Sequence, residues 1–102
     1  MIAVTREGHK VVVRPAGDSI VAASIPELRS TLREIVGQGV EDLVIDLAEV
    51  HMVDSGGIGL LVAAFNSLRK TGGRLALIHA SAELLELFQT MRMHQHFSVS
   101  GN

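Results

Sequence analysis

Residues 42–80, "DLVIDLAEVHMVDSGGIGLLVAAFNSLRKTGGRLALIHA", decide the fold of this chain. Positions 43–47 form a nearly continuous apolar run, which is typical of a strand buried on both faces. Residues 55–71 carry apolar side chains at helical spacing, and "RLALIHA" (74–80) predicts a second strand. This strand–helix–strand alternation predicts two parallel strands joined by a crossover helix.

The flanking sequence extends this unit in both directions. Two β-type runs, "IAVTREG" (2–8) and "KVVVRPAG" (10–17), predict a hairpin. Helical patterns follow at 24–39 and 81–91, and "HFSV" (96–99) is a weak last strand. We therefore expect an α/β fold of order ββαβαβαβ, a small mixed β-sheet packed with helices, in one domain over residues 1–102. The pattern leaves open whether the helices cover one or both faces of the sheet.

A serine stands at the start of each predicted helix. Ser24 forms a capping-box pattern with Glu27, and Ser81 precedes the third helix. Ser55 lies before the helical pattern of the second helix. Because serine favours the N-cap position, we predict that all three serines cap their helices.

Composition excludes several classes of function. The 102 residues carry a net charge of −2, so the chain has no basic excess to hold a phosphate backbone and we expect no nucleic-acid partner. Cysteine is absent, which excludes disulfides and thiolate chemistry. The longest apolar stretch, "IGLLVAAF" (58–65), falls far short of the roughly 20 residues that span a bilayer. No signal-peptide pattern opens the chain, so we expect a cytoplasmic protein.

The junction "VDSGG" (53–57) is the strongest candidate for a functional site. In parallel sheets, sites form where strands end and helices begin. Gly56, Gly57 and Gly59 follow Ser55 closely, although each glycine within a helix costs about 1 kcal/mol relative to alanine. Gly57 or Gly59 would permit close packing, and Gly56 would leave the hydroxyl of Ser55 accessible. A helix N-terminus also accommodates the negative charge of a phosphate.

Known catalytic and binding motifs do not match this junction. "DSGGIG" (54–59) lacks the lysine of a phosphate-binding loop and the third glycine of a dinucleotide site. It also lacks the glycine two residues before the serine in a nucleophile elbow. "HQH" (94–96) has no neighbouring carboxylate or cysteine with which to hold a metal. We therefore predict no catalytic residue, no cofactor and no metal site.

The junction resembles the STAS domains of bacterial anti-sigma-factor antagonists. Their pattern is a strand, then Asp-Ser, a small residue, Gly, an aliphatic residue and Gly, and then a helix. "DLAEVHMVDSGGIGLLVAAFNSLRKTGGRLALI" (46–78) fits it, and a weaker likeness extends over nearly the whole chain. Gly56 stands where many members have a second serine or another small residue.

This resemblance implies a binding protein that works by partner switching and is not an enzyme. Ser55 matches the serine that a serine-kinase anti-sigma factor phosphorylates, and a PP2C-type phosphatase would remove the phosphate. The unmodified protein would bind that kinase and release the sigma factor. The implied partner surface contains Asp54, Gly56, Gly57, Ile58, Asp18 and Ser19.

Two alternatives remain open at the level of sequence. Asp18 and Ser19 lie in "GDSIVAAS" (17–24), where they either cap a turn or line the partner surface. STAS domains also serve as constitutive scaffold subunits of transporters or signalling complexes. In that case Ser55 would act mainly as a cap or as a contact.

Overall fold

The computed structural model describes residues 2–101 of the chain. Its strands are β1 (Ala3–Glu7), β2 (Lys10–Arg14), β3 (Ser19–Ile20), β4 (Asp42–Asp46), β5 (Met52–Val53), β6 (Arg74–Ala80) and β7 (Ser98–Gly101). Its helices are α1 (Ile25–Gly37), α2 (Ser55–Arg69) and α3 (Ala82–Thr90), followed by a 3-10 turn at Met93–Gln95. The predicted order is confirmed, with β3 and β5 as two short additional strands.

The main sheet is mixed, as predicted. Its strands lie in the order β1-β2-β4-β6-β7, with β1 antiparallel to β2 and the other neighbours parallel. Val12, Val44 and Ala76 are paired across the three central strands. The central position of β4 explains its continuous apolar run, because its residues 43–46 are all buried.

The helices pack mainly against one face of this sheet. On β2 and β6, side chains alternate between buried Val11, Val13, Leu75 and Leu77 and half-buried Val12 and Ala76. The buried set joins the apolar faces of all three helices in one core cluster. The hydrophobic pattern left open whether the helices cover one or both faces of the sheet, and this distribution of buried side chains shows that they cover mainly one.

The second sheet was not predicted, and it lies directly before the candidate site. Strands β3 and β5 are parallel and only two residues long, with Ser19 opposite Met52 and Ile20 opposite Val53. Two-residue strands leave no period in a sequence, since alternation needs about four residues to be recognised. The pair places the segment after β3 beside the start of α2.

The serine caps of the first and third helices differ. The Ser81 hydroxyl accepts a hydrogen bond from the Leu84 N–H at 3.2 Å, so this predicted cap is confirmed. The capping box at Ser24 is wrong, because the Ser24 backbone is already helical and its side chain makes no cap bond. Its hydroxyl instead accepts from the Val21 N–H at 3.1 Å and donates to the Val21 carbonyl at 2.9 Å.

Gly57 permits the close approach of α2 to β3. A Cβ at this position would lie 2.6 Å from the Ile20 carbonyl oxygen and 2.7 Å from Val53 Cγ1. The first of these is a backbone atom that cannot move aside. Gly59, two residues later, has no atom within 4 Å of the equivalent Cβ position and is exposed. Gly57 is therefore required for close packing of the helix, whereas Gly59 only weakens the helix.

We predict opposite effects for alanine at these two positions. Gly57→Ala should lower the free energy of unfolding by about 2–3 kcal/mol, since the methyl group overlaps the backbone of β3. Gly59→Ala should raise it by about 0.5–1 kcal/mol, because alanine is the better helix former in open space. Denaturant unfolding of both variants measures the difference, and equal effects would contradict this account of Gly57.

A buried aspartate lies at the C-terminal end of the central strand β4. Asp46, at the end of β4, is 5% exposed. Its oxygens accept hydrogen bonds from Arg14 at 3.0 Å, from His79 Nδ1 at 2.9 Å and from the Ala48 N–H at 2.9 Å. The bond from Ala48 turns the chain out of β4 and towards β5. His79 takes a positive φ of 58°, where the register between β6 and β7 shifts.

These partners control the ionisation of Asp46. Burial by itself would raise the pKa of this carboxyl group. The hydrogen bonds from His79, Ala48 and Arg14 outweigh burial and hold the pKa below its ordinary value. A lowered pKa means that the folded state favours the carboxylate more than the unfolded state does.

The stability of the protein should therefore depend on pH through Asp46. The contribution of this group is present above the unfolded pKa of about 3.9 and is lost as the pH falls through the lower folded pKa. Asp46→Asn should be less stable at about pH 7 and should lose less stability on acidification. Denaturant unfolding across this pH range measures both effects.

Asp42→Asn is the matched control for this pH dependence. It removes an ion pair to Arg74 at 3.3 Å, whose arginine side chain is 83% exposed. An exposed pair contributes little, so this variant should lose much less stability than Asp46→Asn. A larger loss in Asp42→Asn would contradict the role assigned to Asp46.

Candidate functional site

The N-cap of α2 is Asp54, so the predicted cap at Ser55 is wrong. The Asp54 backbone is extended, with φ −86° and ψ −178°, as an N-cap residue requires. Its Oδ1 accepts a hydrogen bond from the Gly57 N–H at 2.9 Å. Ser55 is the first residue of the helix itself. The adjacent acid and hydroxyl were both competent to cap, and the extended conformation of Asp54 decides between them.

The second carboxylate oxygen of Asp54 links α2 to the neighbouring segment. Its Oδ2 accepts a hydrogen bond from the Ala22 N–H at 3.2 Å, and the Asp54 N–H donates to the Ile20 carbonyl at 3.2 Å. The carboxylate is thus held between two backbone groups from distant parts of the chain. It also lies at the N-terminus of α2, which is the positive end of the helix dipole.

Ser55 is exposed, and its hydroxyl makes no hydrogen bond to another described residue. Asp54 makes the side-chain bonds at this junction instead. The oxygen of Ser55 is therefore free to react without disturbing the cap. Its position in the first helical turn places it beside the N–H groups that have no partner within the helix.

Gly56 is exposed beside Ser55 and packs against the start of α1. A Cβ at this position would lie 2.8 Å from Ile25 Cδ1 and 3.3 Å from Asp54 Oδ1. The nearer atom is the end of a flexible side chain, so a small side chain here would require Ile25 to shift. The absence of a side chain at position 56 leaves Ser55 as the only hydroxyl in this turn.

The remaining predicted contact residues of α2 lie beneath this surface. Gly57 is buried against β3, and Ile58 is 8% exposed within the core. A protein that contacts Ser55 would meet Gly56 directly. Gly57 and Ile58 would support that contact through the position of the helix.

Asp18 and Ser19 lie on the adjacent segment but some distance from Ser55. The Asp18 carbonyl accepts a hydrogen bond from the His51 N–H at 2.7 Å, and Ser19 pairs with Met52. Along an extended strand, the three residues from His51 to Asp54 span about 10 Å. The structure thus places Asp18 and Ser19 beside the start of β5, whereas Ala22 lies at the Asp54 junction.

Sequence reasoning missed one exposed apolar residue near the site. Met52 is 55% exposed on β5, while the next residue, Val53, is buried. Alternation along an extended segment places these two side chains on opposite faces. The sequence carried no recognisable signal for this exposure, because β5 is only two residues long and alternation needs about four residues to be recognised.

The other sequence-based exclusions concern metal ions and membranes. Within residues 2–101, no group of three or more histidine, cysteine, aspartate or glutamate side chains could hold a metal ion. His96 of the "HQH" segment packs against Phe65, with ring centroids 6.0 Å apart. None of the helices in the described part of the chain combines the length and apolar character needed to span a bilayer.

Comparison with known proteins identifies relatives of this chain. The family model for the STAS domain matches residues 1–102. The anti-sigma-B factor antagonist of Bacillus subtilis is 34% identical over 98 residues, which cover 96% of this chain and 88% of that protein. Such relatives are regulatory binding proteins.

Solved structures share the fold at lower identity. An anti-sigma factor antagonist from Mycobacterium paratuberculosis matches with a TM-score of 0.87 at 20% identity, over 100% of this chain and 86% of that one. Unphosphorylated SpoIIAA matches with a TM-score of 0.78 at 18% identity, over 100% of this chain and 88% of that one. SpoIIAA in the phosphorylated form has a TM-score of 0.77 at 18% identity, over 97% and 90%. The matching family model and the Bacillus relative together place this chain in the STAS-domain family.

Proposed function

We propose that this protein is an anti-sigma-factor antagonist that works by phosphorylation-controlled partner switching. A single STAS domain over residues 1–102 carries this function, with Ser55 as the phosphoacceptor. One observation carries the proposal: Ser55 is exposed with a free hydroxyl, while the neighbouring Asp54 provides the helix cap. The fold can therefore accept a modification of Ser55 without losing a structural hydrogen bond.

A phosphate at Ser55 is compatible with the folded state. It would carry a charge of about −1.5 to −2 at neutral pH. The first turn of α2 provides N–H groups without helical partners and the positive end of the helix dipole. The modification would therefore leave the backbone in place and act mainly on the surface.

The same phosphate would weaken a protein–protein contact made at this surface. Gly56, the neighbour of Ser55 at this surface, is exposed and uncharged. A partner that packs closely here would have to desolvate the added charge, which is costly without a compensating cation. The net charge of the chain would change from −2 to about −4.

The partners follow from the switching role. The unmodified protein binds a serine-kinase anti-sigma factor and displaces the sigma factor from it. The kinase phosphorylates Ser55, and a PP2C-type phosphatase restores the unmodified form. Asp54, Gly56 and the segment from Asp18 to Ser24 border the contact surface, with Gly57 and Ile58 beneath it. The chain itself is not an enzyme, and its place of action is the cytoplasm.

The comparisons support this proposal at the level of relatives. The Bacillus subtilis protein is named for antagonism of the anti-sigma-B factor. SpoIIAA shares the fold and has been solved both with and without its phosphate. These relationships support a switch that works by phosphorylation.

A kinase assay tests the assignment to Ser55. The purified protein is incubated with ATP and, in turn, with each candidate serine-kinase anti-sigma factor encoded by the source organism. One of these kinases should add a single phosphate at Ser55, and Ser55→Ala should abolish labelling. Ser30→Ala is the control, since it removes another exposed helical hydroxyl. Labelling at a different residue would contradict the assignment.

A binding measurement separates switching from constitutive scaffolding. Ser55→Glu should raise the Kd for the labelling kinase by roughly tenfold or more, equivalent to at least about 1.4 kcal/mol. Tight binding by Ser55→Glu, with no kinase labelling Ser55, would favour the scaffold alternative.

A further inference from the structure

A groove of about 350 Å³ runs between α1 and α2. Its apolar walls include Leu32 and Val36 from α1 and Leu60 and Ala63 from α2. The side chains contributed by α2 are small where the helices would otherwise meet, since Ala63 and Ala64 both line the groove. The two helices pack against each other, and the groove lies along the outer side of their contact.

The charged residues that line this groove are both positive. Arg29 and Arg33 lie one helical turn apart on α1, and both are exposed. Neither forms an ion pair with another described residue. No acidic side chain lines the groove, although the chain as a whole has a charge of −2. The exposed acids of α1 point elsewhere, with Glu34 lining a depression beside β1 and Glu27 one beside β3.

The groove is continuous with the surface around Ser55. At the helix starts, Gly56 packs against Ile25, and the groove opens beyond this contact. Leu60 follows Gly56 by four residues and Arg29 follows Ile25 by four, a distance of about 6 Å along each helix. A single partner can therefore occupy the groove and cover Ser55 together.

We propose that this groove binds an acidic amphipathic helix of the serine-kinase partner. This inference rests on the proposed function and specifies how the partner is recognised. A helix laid in a groove presents apolar anchors at spacings of three and four residues. The lined part of α1, from Arg29 to Gly37, is about 12 Å long, which matches two turns of such a helix. Its carboxylates would pair with Arg29 and Arg33, and its apolar side chains would fill the space above Ala63.

This mode of binding gives phosphorylation a direct electrostatic effect. The phosphate on Ser55 would lie near the end of a groove whose occupant is negatively charged. A separation of one to two helical turns is comparable with the screening length of about 8 Å at physiological ionic strength. Repulsion between the phosphate and the acidic helix would add to the desolvation cost at Ser55.

Charge reversal in the groove tests this inference. The probe is the kinase that labels Ser55, and its Kd is measured by calorimetry at low and high salt. Arg29→Glu/Arg33→Glu should raise the Kd at least roughly tenfold at low salt and reduce its dependence on salt. The same double substitution should also lower kcat/KM for the labelling of Ser55, because the kinase binds its substrate more weakly. Arg29→Lys/Arg33→Lys retains the positive charge, and its Kd for the kinase should lie within about threefold of the wild-type value.

Two controls separate the groove from general effects of charge and folding. Arg6→Glu makes the same type of charge reversal on exposed β1, outside the groove, and should leave the Kd unchanged. Ala63→Leu fills the groove without changing charge and should weaken binding, whereas Asn66→Leu, exposed on α2 outside the lining, should not. Circular dichroism of each variant confirms that it is folded.

The outcomes distinguish this inference from the proposed function. Labelling of Ser55 with unchanged affinity in Arg29→Glu/Arg33→Glu would overturn the groove as the docking site and leave the switching function intact. If none of the kinases labels Ser55, the switching function and the inference both fail. Sedimentation of the protein alone tests for a second copy in the groove. A dimer that Arg29→Glu/Arg33→Glu dissociates would overturn the assignment to a kinase helix.

Discussion

The first turn of α2 lies directly against the backbone of β3, and the rest of the site depends on that approach. Gly57 leaves room for the Ile20 carbonyl, which would be 2.6 Å from any Cβ. Asp54 then bridges the two segments, with one oxygen on the Gly57 N–H and the other on the Ala22 N–H. Because these bonds satisfy the helix start, Ser55 is not needed as a cap and its hydroxyl remains free.

The two neighbouring glycines have different roles: one permits close packing of the helix, and the other leaves Ser55 accessible. Gly57 serves the interior, where a side chain would collide with backbone. Gly56 serves the surface, where only the end of Ile25 lies near. The contact between Gly56 and Ile25 joins the starts of α1 and α2, and the groove lies between the same two helices. The candidate modification site and the candidate docking groove therefore share one structural origin, the side-by-side start of two helices.

Much of this organisation was predictable from residue patterns. The apolar run at 43–47 and the helical spacing at 55–71 predicted the parallel unit, because period and burial are local consequences of strand and helix geometry. The "VDSGG" junction marked the site for the same reason, since a strand end followed by glycines and a helix start is visible in one short segment. The resemblance to STAS domains then singled out Ser55.

The sequence by itself determined the order of the main elements, the mixed character of the sheet and the position of the candidate site, because hydrophobic period, strand–helix alternation and a strand end followed by glycines are all visible in short segments of the chain. Only the tertiary structure decided which residue caps each helix. Serine stands before or at all three helix starts, yet Ser81 caps, Ser24 bonds to Val21 and Asp54 replaces Ser55. That choice depends on backbone conformation and on partners such as Ala22, which lies 32 positions away from Asp54. The sequence also did not predict the short pairing of β3 with β5 or the positive groove, because each is made by residues that meet only after folding.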